Sequence, residues 1–97
     1  MAMFIVLGNF TDQGIRTIKE SPKRADAFKA LAAKAGVKVK DIYWTLGHYD
    51  IVTIVEAPDT ATAVSLNLAI ASLGNIRTET LTAFSGDEFG KMLGKMP

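Results

Sequence analysis

Cysteine is absent from this 97-residue chain, which removes disulfides, thiolate nucleophiles and cysteine-rich zinc sites together. There is one histidine and one tryptophan, so a metal ion would have only carboxylates as further ligands, and none is expected. Surplus charge is missing too: 11 Lys and Arg against 10 Asp and Glu leave +1, with no basic stripe interleaved with aromatics. A phosphate-tracking groove needs such a stripe, so nucleic acid is not an expected partner. No apolar run is long enough to span a bilayer, and residues 1–3 lack the basic start of a signal peptide. The expectation is a cytoplasmic protein without a membrane partner or a cofactor. The length suits a single domain over residues 1–97, near the small end for a self-sufficient core.

What is present reads as alternating strands and helices. Residues 3–7 are apolar and rich in branched or aromatic side chains, giving a strand buried on both faces that Gly8 and Asn9 end. Thr11 fits a helix N-cap, with Phe10 and Ile15 placed as a hydrophobic staple and Asp12 suited to the positive helix start. Ser21-Pro22 interrupts that helix and restarts it, Ser as cap and Pro at the first helical position, until Gly36 closes it. Residues 37–46 form a second strand whose apolar phase slips near Lys40-Asp41, predicting a bulge. A turn at Gly47-His48 leads to a third strand from Ile51 to near Glu56. Pro58-Asp59 then opens a helix over about residues 60–73, and residues 76–84 make a fourth strand with Thr at every second position. Ser85 and Glu88 spell a capping box for a short C-terminal helix, with Phe84 and Phe89 as its staple.

The order βαββαβ, with right-handed crossovers, predicts an α+β ferredoxin-like fold: a four-stranded antiparallel sheet with helices on one face. Strands one and three, central in that topology, are apolar on both faces. Their uncovered side would be a patch of roughly several hundred Å², more than a soluble monomer usually leaves wet. At about 25 cal/mol per Å², hiding it favours association by several kcal/mol before the entropy of docking is subtracted. A homodimer packed sheet on sheet is the simplest remedy. The second long helix carries no charged side chain from Thr60 through Ile76. That fits either a weakly polar outer face of Thr62, Ser65, Asn67 and Ser72 or a second interface in a larger homo-oligomer.

Several strings together resemble the GYD-domain family of small bacterial and archaeal proteins. They are residues 9–15, 21–24, 47–50, 55–59 and 73–78, the third of them Gly47-His48-Tyr49-Asp50. The resemblance covers nearly the whole chain and implies a dimeric α/β-barrel variant of the ferredoxin-like fold. It implies little about activity, and His48 stands at a position that varies within the motif.

The hairpin around that motif is where the chemistry-bearing residues gather. Pairing Thr45 with Asp50 puts Tyr43, Thr45 and Asp50 on one sheet face and Trp44 on the other. In a catalytic reading Asp50 is a general base, Tyr43 or Tyr49 orients the substrate and Asn9 polarises it. In a local reading Asp50 and Thr45 simply fix the turn. Trp44, Thr45 and His48 complete the candidate ligand contacts, against packing for Trp44 and Tyr49 and idle exposure for His48. Lys23 and Arg24 sit in a first helical turn, where cations oppose the macrodipole, so an anion beside them is one reading. Neutralisation by Glu20 and Asp26 is the other. Gly8 and Gly14 lack the lysine and spacing of a phosphate loop. The function expected is binding of a small organic ligand between sheet and helices, with cofactor-free catalysis as an extension. The alternative is a non-catalytic assembly or protein-interaction module.

Overall fold

A computed structural model describes all residues from Met1 to Pro97. Four strands, β1 (Ala2–Phe10), β2 (Lys38–Trp44), β3 (Ile51–Ala57) and β4 (Ile76–Ala83), form one antiparallel sheet in the order β2-β3-β1-β4. The helices are α1 (Asp12–Arg16), α2 (Ser21–Lys34), α3 (Thr60–Ala71) and α4 (Gly86–Leu93), with a 3-10 turn at Ile18–Glu20 between α1 and α2. This is the ferredoxin-like arrangement that the element order predicts, with strands one and three at the centre. No helix is long and apolar enough to cross a membrane.

Alternation along the central strands divides the sheet. Phe4, Val6, Thr53, Val55 and Ala57 are buried on the helix side, joined there by Ala32, Val37, Ala63 and Leu66. Met3, Ile5, Leu7, Val52 and Ile54, on the opposite face, are only partly covered. The predicted bulge is present as a register shift between Val39 and Asp41.

Local signals set most boundaries. Thr11 caps α1 through the Gly14 N–H, Asp59 caps α3 through the Thr62 N–H, and Ser85 with Glu88 completes the capping box of α4. Gly36 closes α2 at φ +75, where a side chain would be strained.

Three expectations are corrected. β1 does not stop at Gly8-Asn9 but runs to Phe10, because Asn9 and Phe10 pair with Arg77 and Ile76 on β4. Gly8 continues the strand in a tight spot, since a Cβ there would lie 2.5 Å from Ile76 Cδ1. Ser21 is not the N-cap of α2: its backbone is already helical, Glu20 precedes it, and its side chain is buried. Asn67, placed on the outer face of the uncharged helix, is instead 6% exposed and donates to Thr80 Oγ1 at 2.9 Å.

The turn before α1 is fastened to the turn after α3. Thr11 donates its N–H to the Asn75 carbonyl and its hydroxyl to the Gly74 carbonyl, while the Gln13 amide donates to Leu73 O and Asn75 Oδ1. Gly14 makes that closeness possible, because a Cβ on it would fall 1.9 Å from the Asn75 carbonyl oxygen, a backbone atom that cannot step aside. Gly14→Ala should therefore lower the unfolding free energy by roughly 1–3 kcal/mol or more. Gly86→Ala, which meets nothing within 4 Å, should leave it unchanged or slightly raised. Urea melts of the two variants check the contrast.

Candidate functional site

The residues between Trp44 and Ile51 link β2 to β3 and hold the sequence's candidate groups. Gly47 turns the chain at φ +132, a value that favours glycine. Past it the chain is pinned to β1 at two points. The Asp50 N–H donates to the Gly8 carbonyl at 2.8 Å, and Asp50 Oδ2 accepts from the Phe10 N–H at 2.9 Å. Thr45 and Asp50 pair as expected, with the Thr45 N–H donating to the Asp50 carbonyl and the Thr45 hydroxyl to the Tyr49 carbonyl at 2.6 Å. Tyr49 reaches over β1 to β4, where its phenol donates to Glu79 Oε2 at 2.8 Å. That hydrogen bond, with the charge of Glu79 behind it, raises the phenol's pKa above its ordinary 10.0.

Trp44 faces the other way. Its indole N–H donates to Ser21 Oγ at 2.9 Å, tying β2 to the start of α2. It lines a cavity of about 350 Å³ on the helix side of the sheet, walled by Val6, Ile42 and Ile51 from the strands and Phe28, Leu31 and Ile70 from the helices. Arg24 lines it too, with its guanidinium folded over the end of α1. Nη1 donates to the Thr17 hydroxyl at 2.8 Å and more weakly to the Thr17 carbonyl, and Nη2 donates to the Gly14 carbonyl at 3.1 Å. Neither Glu20 nor Asp26 pairs with it, the chain's one ion pair being Lys40–Glu56 at 3.1 Å.

The structure thus divides the sequence-derived candidates. Trp44 and Arg24 border the cavity; Asn9, Tyr43, Thr45, His48, Tyr49, Asp50 and Lys23 do not. Asp50 is not among the residues that line this cavity, and its Oδ2 accepts from the Phe10 N–H on β1. Tyr43 is 53% exposed opposite Val52, Asn9 pairs with Arg77, and His48 and Lys23 are exposed. No three His, Cys, Asp or Glu side chains come close enough together to hold a metal ion. The carboxylates of Asp59 and Glu88 are held below the usual range by the backbone N–H groups they cap, Thr62 and Ser85. Sequence reasoning missed the Arg24 clamp, Ser21 as a buried acceptor and Glu79 as the partner of Tyr49, all contacts between separate elements without a local signature.

With this geometry in place, known proteins offer a comparison. The sequence model of the GYD domain matches residues 4–93. A Thermus thermophilus protein named "Glutamine synthetase and cystathionine beta-lyase binding protein" is 42% identical over 84 residues, covering 86% of this chain and 88% of that one. Among solved structures, the crystal structure of TTHA0845, also from Thermus thermophilus, superposes with a TM-score of 0.57 at 27% identity, covering 89% of this chain and 96% of that one.

Two measurements check the pinned hairpin. Asp50→Ala leaves the half-buried Phe10 N–H without its acceptor and should lower stability by about 1–3 kcal/mol, whereas Asp50→Asn, which keeps a carbonyl oxygen, should lose less. In a Tyr43→Phe background, Tyr49 should ionise above 10.0, and Glu79→Gln should bring it down. The folded state holds this proton more tightly than the unfolded chain. Its stabilising share is therefore fully present below 10.0 and disappears as pH rises through the folded value.

Proposed function

The chain belongs to the GYD domain family, and on that premise we propose that it is a non-catalytic binding module that works as a homo-oligomer and docks on a metabolic enzyme. One observation carries this reading: several polar side chains of the family-like segments are spent on the fold, while apolar surface beside them is left free. Asp50 holds Phe10, Tyr49 holds Glu79, Thr11 and Gln13 hold the turn after α3, and Asp59 caps α3. By contrast Leu68 and Leu73, in and just after the uncharged helix, are each 65% exposed. Charge is depleted at the centres of protein interfaces and large apolar side chains are retained there, which describes this helix face. The relative named for binding glutamine synthetase and cystathionine beta-lyase supports partners of that kind for this chain. Both would be met in the cytoplasm.

Self-association uses other surfaces in this proposal. The open sheet face, with Met3, Ile5, Leu7, Val52, Ile54 and Leu81, packs against the same face of a second copy. α4 reaches the partner subunit with Phe89, Met92 and Leu93, which are 41–53% exposed.

The cavity of about 350 Å³ favours a second reading, in which a small organic ligand binds inside each subunit. Catalysis through Asp50, by contrast, would fall to Oδ1, because Oδ2 accepts from the Phe10 N–H.

Calorimetric titration with purified glutamine synthetase and cystathionine beta-lyase tests the first reading. Binding to at least one is expected, weakened about tenfold or more by Leu68→Arg, the size of an interface hot spot. The variant should melt at an unchanged temperature, because that side chain is mostly in solvent. No binding to either enzyme, or full binding by the variant, would overturn it.

A further inference from the structure

We propose that the cavity between the sheet and α2 binds a small apolar carboxylic acid, with Arg24 as its counter-ion. The inference rests on the second reading above, that a small organic ligand occupies this space, and adds the ligand's chemistry.

The volume, about 350 Å³, lies within the range of small-molecule pockets, about 300–1,000 Å³. Its walls are chiefly apolar, with Val6, Phe28, Ile42, Ile51 and Ile70 among them. Such walls reward an aliphatic or aromatic body, which gains the dispersion contacts that the empty space forgoes. Against them stands one full charge. Arg24 is half-buried, lines the cavity, and makes its three hydrogen bonds only to neutral oxygens of Thr17 and Gly14. No carboxylate of the chain pairs with it, since the one ion pair is Lys40–Glu56. A guanidinium has five N–H donors in a planar fork, so donors remain for an incoming anion. The bonds to Thr17 and Gly14 fix the fork in place, and less freedom is then lost when an anion arrives.

The rest of the lining decides which anion. A phosphate needs several converging donors, and the walls bring few; the chain also has no phosphate-binding glycine loop. A single carboxylate at the Arg24 end with a hydrocarbon body along the strands matches both features. Trp44 forms part of the wall with its indole N–H already committed to Ser21, so its ring offers a surface rather than a donor.

Trp44 also provides the readout, as the only tryptophan of the chain. Titration of the full chain with octanoate should change its fluorescence saturably. 1-Octanol, with the same body and no charge, should bind about tenfold more weakly, the scale of a charged hydrogen bond. Inorganic phosphate should give no effect. Arg24→Gln should bring octanoate down to the level of octanol and leave octanol unchanged, while Arg24→Lys keeps most of the preference. Ala25→Phe, which fills the cavity from α2, should abolish binding of both molecules.

Equal affinity for octanoate and octanol, or an unaltered octanoate preference in Arg24→Gln, would overturn the anion assignment and leave a neutral-ligand reading standing. No saturable response to either probe, or undiminished binding by Ala25→Phe, would overturn both. Should Arg24→Gln fail to fold because it releases α1, the octanoate-to-octanol ratio of the unaltered protein and the Ala25→Phe variant still decide.

Discussion

A four-stranded sheet has two faces, and α2 and α3 are enough to cover one. That shortage governs the rest of the molecule. On the covered side Phe4 and Val55 are almost wholly removed from solvent, together with the small residues Ala32, Ala57 and Ala63 that let the helices approach. On the other side the central strands present Met3, Ile5, Leu7, Val52 and Ile54, while charge stays on the outer strands and at the strand ends, with Lys38, Lys40 and Asp41 on β2 and Arg77 and Glu79 on β4. An apolar centre with a charged rim is how protein interfaces are built. In the proposed assembly, a second copy supplies the missing layer.

The family-like segments make sense as the fastenings of that platform. Thr11, Gln13 and Gly14 lock the start of α1 to the turn after α3, where no Cβ would fit. Asp50 and Tyr49 lock the β2–β3 connection to β1 and β4. Ser21 ties α2 to Trp44 on β2, and Arg24 ties α2 to α1. Apart from the Arg24 contact between successive helices, each fastening joins elements far apart in sequence, although only a small core lies beneath the sheet. A rigid platform suits docking, because little ordering remains to be done when a partner arrives. The same fastenings hold the cavity open: Trp44 and Arg24 are each tethered at its edge rather than free to fall into it.

What could be read from the sequence was whatever local chemistry decides. The caps at Thr11, Asp59 and Ser85, the glycine stop at Gly36 and the bulge near Lys40-Asp41 each depend on a few adjacent residues, and the element order then selects the topology. What could not be read were long-range choices. Gly8 and Asn9 look like a strand end until β4 is seen to pair with them. Ser21 looks like a cap until Trp44 is found against it, and Asn67 looks solvent-facing until Thr80 supplies its partner. The candidate site suffered most, because alternation along β2 separates Tyr43 from Trp44 but could not say which face held the cavity.

The proposed covering of the open face by a second copy is the claim on which the account turns. Sedimentation equilibrium of the purified chain at micromolar concentration tests it directly. The account predicts a dimer or a larger closed assembly that dissociates when Ile5 or Leu81 is replaced by a charged residue. A chain that remains a stable monomer across that range would contradict it.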